Sequence, residues 1–232
     1  MSKFHLIHKD GPVWNPEYYQ VCAIDPANKD NLGLVVQKRY SDKQVKTVLK
    51  ELIAFDFSDG SSPIINLLNI LDKFQSIFLE CHIILIEQQP DTIGFAKKAG
   101  FGGKPGNGRI VNSTVIKVAA SLVTYFCIRL KDSPLRPMIV EVDSHLRARA
   151  LGIPKIKGED RLAMKKKIVA FEEMLLWVRR DLDGYTLLCR AKRKYDLADA
   201  SVMIEAFFVA YNIRTSLPLH IVQLILKACS II

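Results

Sequence analysis

The sequence predicts an α/β fold in which a mixed five-stranded sheet is flanked by helices. Three observations carry this expectation. Apolar runs of strand length come first as a group, later runs alternate with segments of helical periodicity, and two of those later runs are apolar almost throughout. A strand without polar alternation belongs in the buried middle of a sheet that is covered on both faces.

Residues 19–24 form the first strand, a β-rich run that stops at Asp25-Pro26. Residues 32–36 form the second, and the polar turn at 28–31 joins the two as a hairpin. Residues 45–52 make a third strand whose repeated lysines suit a sheet edge. After a loop at 58–63, Ile64, Leu67, Leu68, Leu71, Phe74 and Phe78 recur at three- and four-residue steps, as on one face of a helix. Residues 82–86 are the fourth strand, which delivers Glu87 at its end before Pro90. Residues 94–108 read as a glycine-rich, basic loop leading into a helix over 111–130. Residues 138–142 are the fifth strand. A helix over 159–180 has an acidic first turn and a basic last turn, both complementing its dipole. Another helix starts near Leu197, and 217–232 reads as an amphipathic helix seeking a protein surface. The chain thus divides into an N-terminal arm (1–17), a main domain (18–213) and a C-terminal extension (214–232).

A chain of 232 residues, 49% of them hydrophobic, buries a core without staples. Cys22, Cys81, Cys127, Cys189 and Cys229 are dispersed, with no CxxC pair and no histidines at zinc spacing. Reduced thiols in an intracellular compartment are therefore expected, without a structural zinc. No run reaches the roughly 20 apolar residues of a membrane span, so no membrane partner is expected. The net charge of +9 is unevenly placed. Residues 147–194 hold fourteen Lys and Arg against six Asp and Glu, and the rest holds nineteen against eighteen. A concentrated basic segment recruits a phosphate backbone, although a solubilising face is the plain alternative.

Four carboxylates carry the chemistry. Asp25 and Glu87 each end an apolar strand, and Asp196 and Asp199, three apart at the start of an apolar helix, share one face. Taken singly, each has a plain structural account: Asp25 opens a turn before Pro26, Asp196 caps a helix, and Asp199 decorates a surface. Taken jointly, four acids at one sheet rim repel one another unless cations lie between them, and all-oxygen ligands suit Mg²⁺, with Mn²⁺ able to substitute. Two ions about 4 Å apart would serve phosphodiester hydrolysis.

The segments Ala23-Ile24-Asp25-Pro26-Ala27, Ile86-Glu87-Gln88-Gln89 and Asp196-Leu197-Ala198-Asp199-Ala200, in this order, resemble the motifs of RuvC-like Holliday junction resolvases of the RNase H-like superfamily. The likeness is nearest to the resolvases of poxviruses and other large DNA viruses and covers about residues 19–212. The resemblance implies an RNase H-like fold, Mg²⁺ held by Asp25, Glu87, Asp196 and Asp199, a homodimer, and paired nicks across a four-way junction. With the viral likeness comes an expected cytoplasmic or viral replication site. Related enzymes carry basic residues before the last motif; Lys165, Lys166 and Lys167 match the second of these. Two positions depart from the pattern: Pro26-Ala27 stands where glycine usually follows soon, and Arg147 stands where the first basic residue is usually lysine. Guanidinium grips phosphate bidentately but does not readily release a proton, so a clamp survives that exchange and a general acid does not.

Periodicity puts Lys165 near the direction shared by Leu162, Ile168 and Val169, with Lys166 at the stripe's edge. Lys165, then Lys166, are therefore expected to reach the scissile phosphate as part of the catalytic set. Lys167 suits a solvated face. The loop 100–109 lacks the spacing of a phosphate-binding nucleotide loop, so no nucleotide cofactor is expected. Its Lys104 and Arg109 suit DNA phosphates, and Phe101 suits a base wedge. Arg147, Arg149, Lys192, Arg193 and Lys194 complete the expected DNA-binding set. Asp143 and His145 are candidate auxiliaries, as a substitute ligand and a water-orienting base. The alternatives are an RNase H-like nuclease for RNA:DNA hybrids or flaps, and a non-catalytic branched-DNA-binding protein of the same fold.

Overall fold

The computed structural model describes residues 2–6, 17–26, 31–55, 62–88, 92–96, 108–111, 113–153 and 161–231. The five expected strands are all present: β2 (Tyr18–Asp25), β3 (Asn31–Tyr40), β4 (Val45–Ala54), β5 (Ile83–Glu87) and β8 (Met138–Val142). A sixth corrects the count. Lys3–Leu6 of the N-terminal arm, β1, pairs antiparallel with β8, setting Phe4 opposite Val140 and His5 Nε2 3.0 Å from Glu141. Four residues are too few to show a period, and only the open edge of β8 makes them a strand. The spatial order is β1-β8-β5-β2-β3-β4. β2, β5 and β8 run parallel, and β1, β3 and β4 are antiparallel to their neighbours.

Helices cover both faces. On one, Cys22, Ile24, Leu34, Val36, Ile84 and Ile86 pack against α1 (Pro63–Asp72), α2 (Gln75–Leu79) and α3 (Ser113–Arg129). The single helix expected over 64–78 is broken, because Phe74 N–H bonds to the Leu71 carbonyl at 2.9 Å and Ile77 N–H to that of Phe74 at 3.0 Å, a tight turn between α1 and α2. The span expected to be a loop holds a short hairpin, β6 (Thr92–Ala96) with β7 (Gly108–Val111). Lys104 and Phe101 lie outside the described residues.

The second face bears Val21, Ala23, Ile83, Leu85, Val140 and Val142. It packs on α4 (Leu146–Leu151), α5 (Arg161–Val178), α6 (Leu182–Arg190), α7 (Lys194–Ala210) and α8 (Leu219–Ala228). α7 lies at the centre of this layer and is buried almost all round, which explains its nearly uninterrupted apolar sequence from Leu197. The amphipathic tail buries Val222, Ile225 and Leu226 of α8 in the same core, so the C-terminal extension finds its surface within the chain. The described part of α5 begins at Arg161; Glu159 and Asp160, the acids expected in its first turn, lie outside the described residues. α4 and α6 were not legible as separate helices. No helix among the described residues is long and apolar enough to cross a membrane.

Candidate metal centre

The two-residue period of the strands determines where the first two acids point. Val21 and Ala23 face α7, so Asp25 continues that row; Ile83 and Leu85 face the same way, so Glu87 does too. Ile24 pairs with Ile86 in the parallel β2–β5 ladder, which leaves Asp25 and Glu87 side by side one residue further on. The two carboxyl groups are close enough for Glu87 to push the Asp25 carboxyl up. Asp199 comes down onto them from α7, and Asp25, Glu87 and Asp199 line one cleft with Asp143, Arg147 and Met203.

A glycine sets the height of α7 above the sheet. Gly33 sits opposite Asp25 in the β2–β3 ladder, and a Cβ there would lie 2.4 Å from the Asp196 carbonyl oxygen and 2.8 Å from its carbon. The first turn of α7 therefore rests directly on the β3 backbone, bringing Asp199 to Asp25. An isolated glycine within an apolar strand is the sequence signal for such an approach. Gly33→Ala is expected to lift the start of α7. Overpacking would cost about 1–3 kcal/mol of stability, read by denaturant melts.

The cleft is strongly charged for its burial. The Asp25 carboxyl is pushed well above the usual carboxylate range, by burial first, then by Glu87 and Asp199, with Arg147 opposing. Because the folded value exceeds the unfolded one, the stability held by the protonated form is full in acid and lost as pH rises through the elevated value. Without divalent ions, thermal stability is thus expected to fall over that window. Asp25→Asn, which removes the charge, should flatten the slope and raise neutral-pH stability by about 0.5–2 kcal/mol. Calorimetry across pH in a chelating buffer checks both.

Positive side chains answer the acids. Arg147, on α4, contacts Asp199 Oδ1 through Nη1 and lies 3.8 Å from Glu87 Oε1 through Nη2. Asp196, buried in the first turn of α7, does not line the cleft; Arg193 Nη2 is 2.8 Å from its Oδ2 and Lys165 Nζ 3.8 Å from its Oδ1. Of the four acids, the structure thus brings three into one cleft and places the fourth beside it, under two cations. Lys165 meets a carboxylate and stands 5.7 Å over the Tyr195 ring, although Leu162, assigned to the same stripe, is exposed. Lys166 is exposed, Lys167 donates to the Ser230 carbonyl, Lys194 reaches Glu173 at 3.9 Å, and Lys192 is exposed. Arg149 pairs with Asp143 at 2.9 Å. Asp143 borders the cleft and accepts the His145 backbone N–H, while the His145 side chain is exposed. Arg109 lies on β7.

The donor set fits hard divalent cations. The clustered groups are all carboxylates, Asp25 is buried against two other acids, and the charge deficit of the cleft is partly met by a guanidinium. Among the described residues no three His, Cys, Asp or Glu side chains are arranged to hold an ion as they stand.

A solved structure shares this architecture. The yeast mitochondrial Holliday junction resolvase Ydc2 matches at a TM-score of 0.50 with 14% identity, over 95% of this chain and 88% of that one. The fold is RNase H-like. T. thermophilus RuvC in complex with a Holliday junction substrate matches at 0.45 with 14% identity, and a second T. thermophilus RuvC structure at 0.47 with 12%. Both cover 83% of this chain and 96% of theirs. No family model matches the sequence, and no curated protein matches it. On the RNase H-like sheet, the carboxylate cleft lies at the rim where β2 and β5 end beneath α7.

Proposed function

We propose that the chain is a divalent-metal-dependent endonuclease that resolves four-way DNA junctions. The observation that carries this reading is the meeting of Asp25, Glu87 and Asp199 in one cleft of an RNase H-like sheet, within a protein whose surplus positive charge is concentrated in residues 147–194. Asp25, Glu87 and Asp199 would hold the ions, with Asp196 joining from the adjoining turn of α7. Two Mg²⁺, or Mn²⁺ in their place, would supply Lewis-acid polarisation of the scissile phosphate and of the attacking water. The chain's own groups do the rest. The strand ends and the turn resting on Gly33 hold the carboxylates in place, burial of the cleft sharpens their field, and the basic side chains around it orient the DNA backbone.

Lys165 and Arg193 neutralise Asp196, with Lys166 and Lys192 exposed nearby in sequence, and in this reading these four side chains meet the DNA backbone. Paired nicks across a symmetric junction require two sites related by a two-fold axis, so the active form is a homodimer. The motif likeness to resolvases of large DNA viruses supports a viral replication site as the place of action. A synthetic four-way junction incubated with the protein, with and without Mg²⁺, tests the reading. Symmetric nicks that need Mg²⁺ are expected, and preferential degradation of linear duplex or of RNA:DNA hybrid would overturn the junction assignment.

A further inference from the structure

Arg147 engages the oxygens that a divalent ion would need. Its Nη1 contacts Asp199 Oδ1 and its Nη2 approaches Glu87 Oε1, so one planar group spans two walls of the cleft. Burial works against its charge, yet Asp199, Glu87 and Asp25 together more than offset this, so the guanidinium is held firmly cationic. The Asp199 contact is a charge-assisted hydrogen bond, among the stronger kinds in proteins, and an ion must break it to reach the same lone pair, whereas Glu87 is held only by the longer ion pair. About a quarter of the side chain is solvent-exposed, so the cleft does not enclose the guanidinium completely.

We propose that Arg147 is a tethered counter-cation: it neutralises the carboxylate cleft before ions bind, competes with divalent ions for Asp199 and Glu87, and is displaced when they load. This rests on the reading of the cleft as a metal centre. The competition serves two ends. It keeps three crowded acids compatible with folding, and it keeps ion affinity low until a DNA phosphate can accept the displaced guanidinium, for which its fork geometry is suited. The departure from lysine at this position then has a physical consequence, because a guanidinium spans two carboxylates where an ammonium offers a single point charge.

The test is Mn²⁺ binding without DNA, followed by calorimetric titration and by the loss of the free-ion paramagnetic resonance signal. It compares the unaltered protein with Arg147→Gln, Arg147→Lys and Asp25→Asn. Arg147→Gln should bind Mn²⁺ at least about tenfold more tightly, since a charge-assisted contact no longer has to be broken. Its melting temperature should be lower than that of the unaltered protein in chelator, with the gap closing in saturating Mn²⁺. Arg147→Lys should fall between the two and decides the matter if Arg147→Gln does not fold. Equal or weaker Mn²⁺ binding by the folded Arg147 variants would overturn the competition while leaving the metal centre standing. Failure of both the unaltered protein and the Arg147 variants to bind Mn²⁺, or binding that survives Asp25→Asn unchanged, would overturn the metal centre and the competition together.

Discussion

Glu87→Gln and Asp199→Asn are each expected to lower the cleavage of a four-way junction by at least about a thousandfold while leaving junction binding intact. The exchanges keep shape and remove one full negative charge from a cleft whose proposed task is to hold dications. An ion in such a site contributes several kcal/mol of transition-state stabilisation, and each 1.36 kcal/mol is tenfold in rate. Binding depends on phosphate neutralisation by Lys and Arg, so removing acids beside the backbone leaves affinity unchanged or improves it. Single-turnover cleavage and gel-shift titration on the same junction separate the two effects. Loss of binding in parallel with cleavage would mean that the acids act through folding, and full activity in both variants would dismiss them as the working groups.

Glu205→Gln is expected to destabilise the fold by about 3–5 kcal/mol without changing Mn²⁺ affinity. Glu205 is fully buried in α7. It accepts from Arg179 at 2.8 and 2.7 Å and from Arg39, and both guanidinium groups are themselves buried. Arg179 also donates to the Lys43 and Thr215 carbonyls, so one carboxylate ties together β3, the turn before β4, the end of α5 and the segment after α7. An amide would leave two buried cations with only the farther Glu172, itself paired with Lys50, as counter-charge. Burial raises the Glu205 carboxyl, but Arg39 and then Arg179 more than offset this and hold it at about 2. The folded value is depressed, so its stabilisation is complete above the ordinary carboxylate range and lost as pH falls toward about 2. Denaturant melts at pH 7 and pH 3 should therefore show the Glu205→Gln penalty shrinking in acid. Arg39 pairs with Tyr19, six residues along β2 from Asp25, which sets this network apart from the cleft and separates the two readouts.

The strand acids were legible because a sheet has a simple period: once residues 19–24 and 82–86 are strands, a terminal Asp25 and Glu87 must emerge at a rim. Asp199 was legible because it lies at the start of an apolar helix. What the sequence could not supply was the set of partners that elements acquire only when packed. Gly33 has meaning only once α7 lies on β3. Arg147, expected to clamp phosphate, contacts Asp199 and approaches Glu87, because α4 follows directly on the strand beside β5 and delivers it into the cleft. Asp196 was grouped with its helix neighbour by spacing, yet three residues is about 60° short of a full turn, enough to place it against Arg193 and Lys165. The β1 strand and the helices α4 and α6 are short, and short elements are decided by what they pack against. Glu205, Arg39 and Arg179 look like ordinary surface charges in a linear reading, and only burial shows that they must be paired.

Anomalous scattering from crystals equilibrated with Mn²⁺ tests most directly whether these carboxylates gather around cations. Manganese is expected in the cleft, within ligand distance of Asp25, Glu87 and Asp199, with Arg147 turned away from them. Manganese bound elsewhere on a protein that still cuts junctions, or Arg147 still seated on Asp199 beside the ion, would contradict the account.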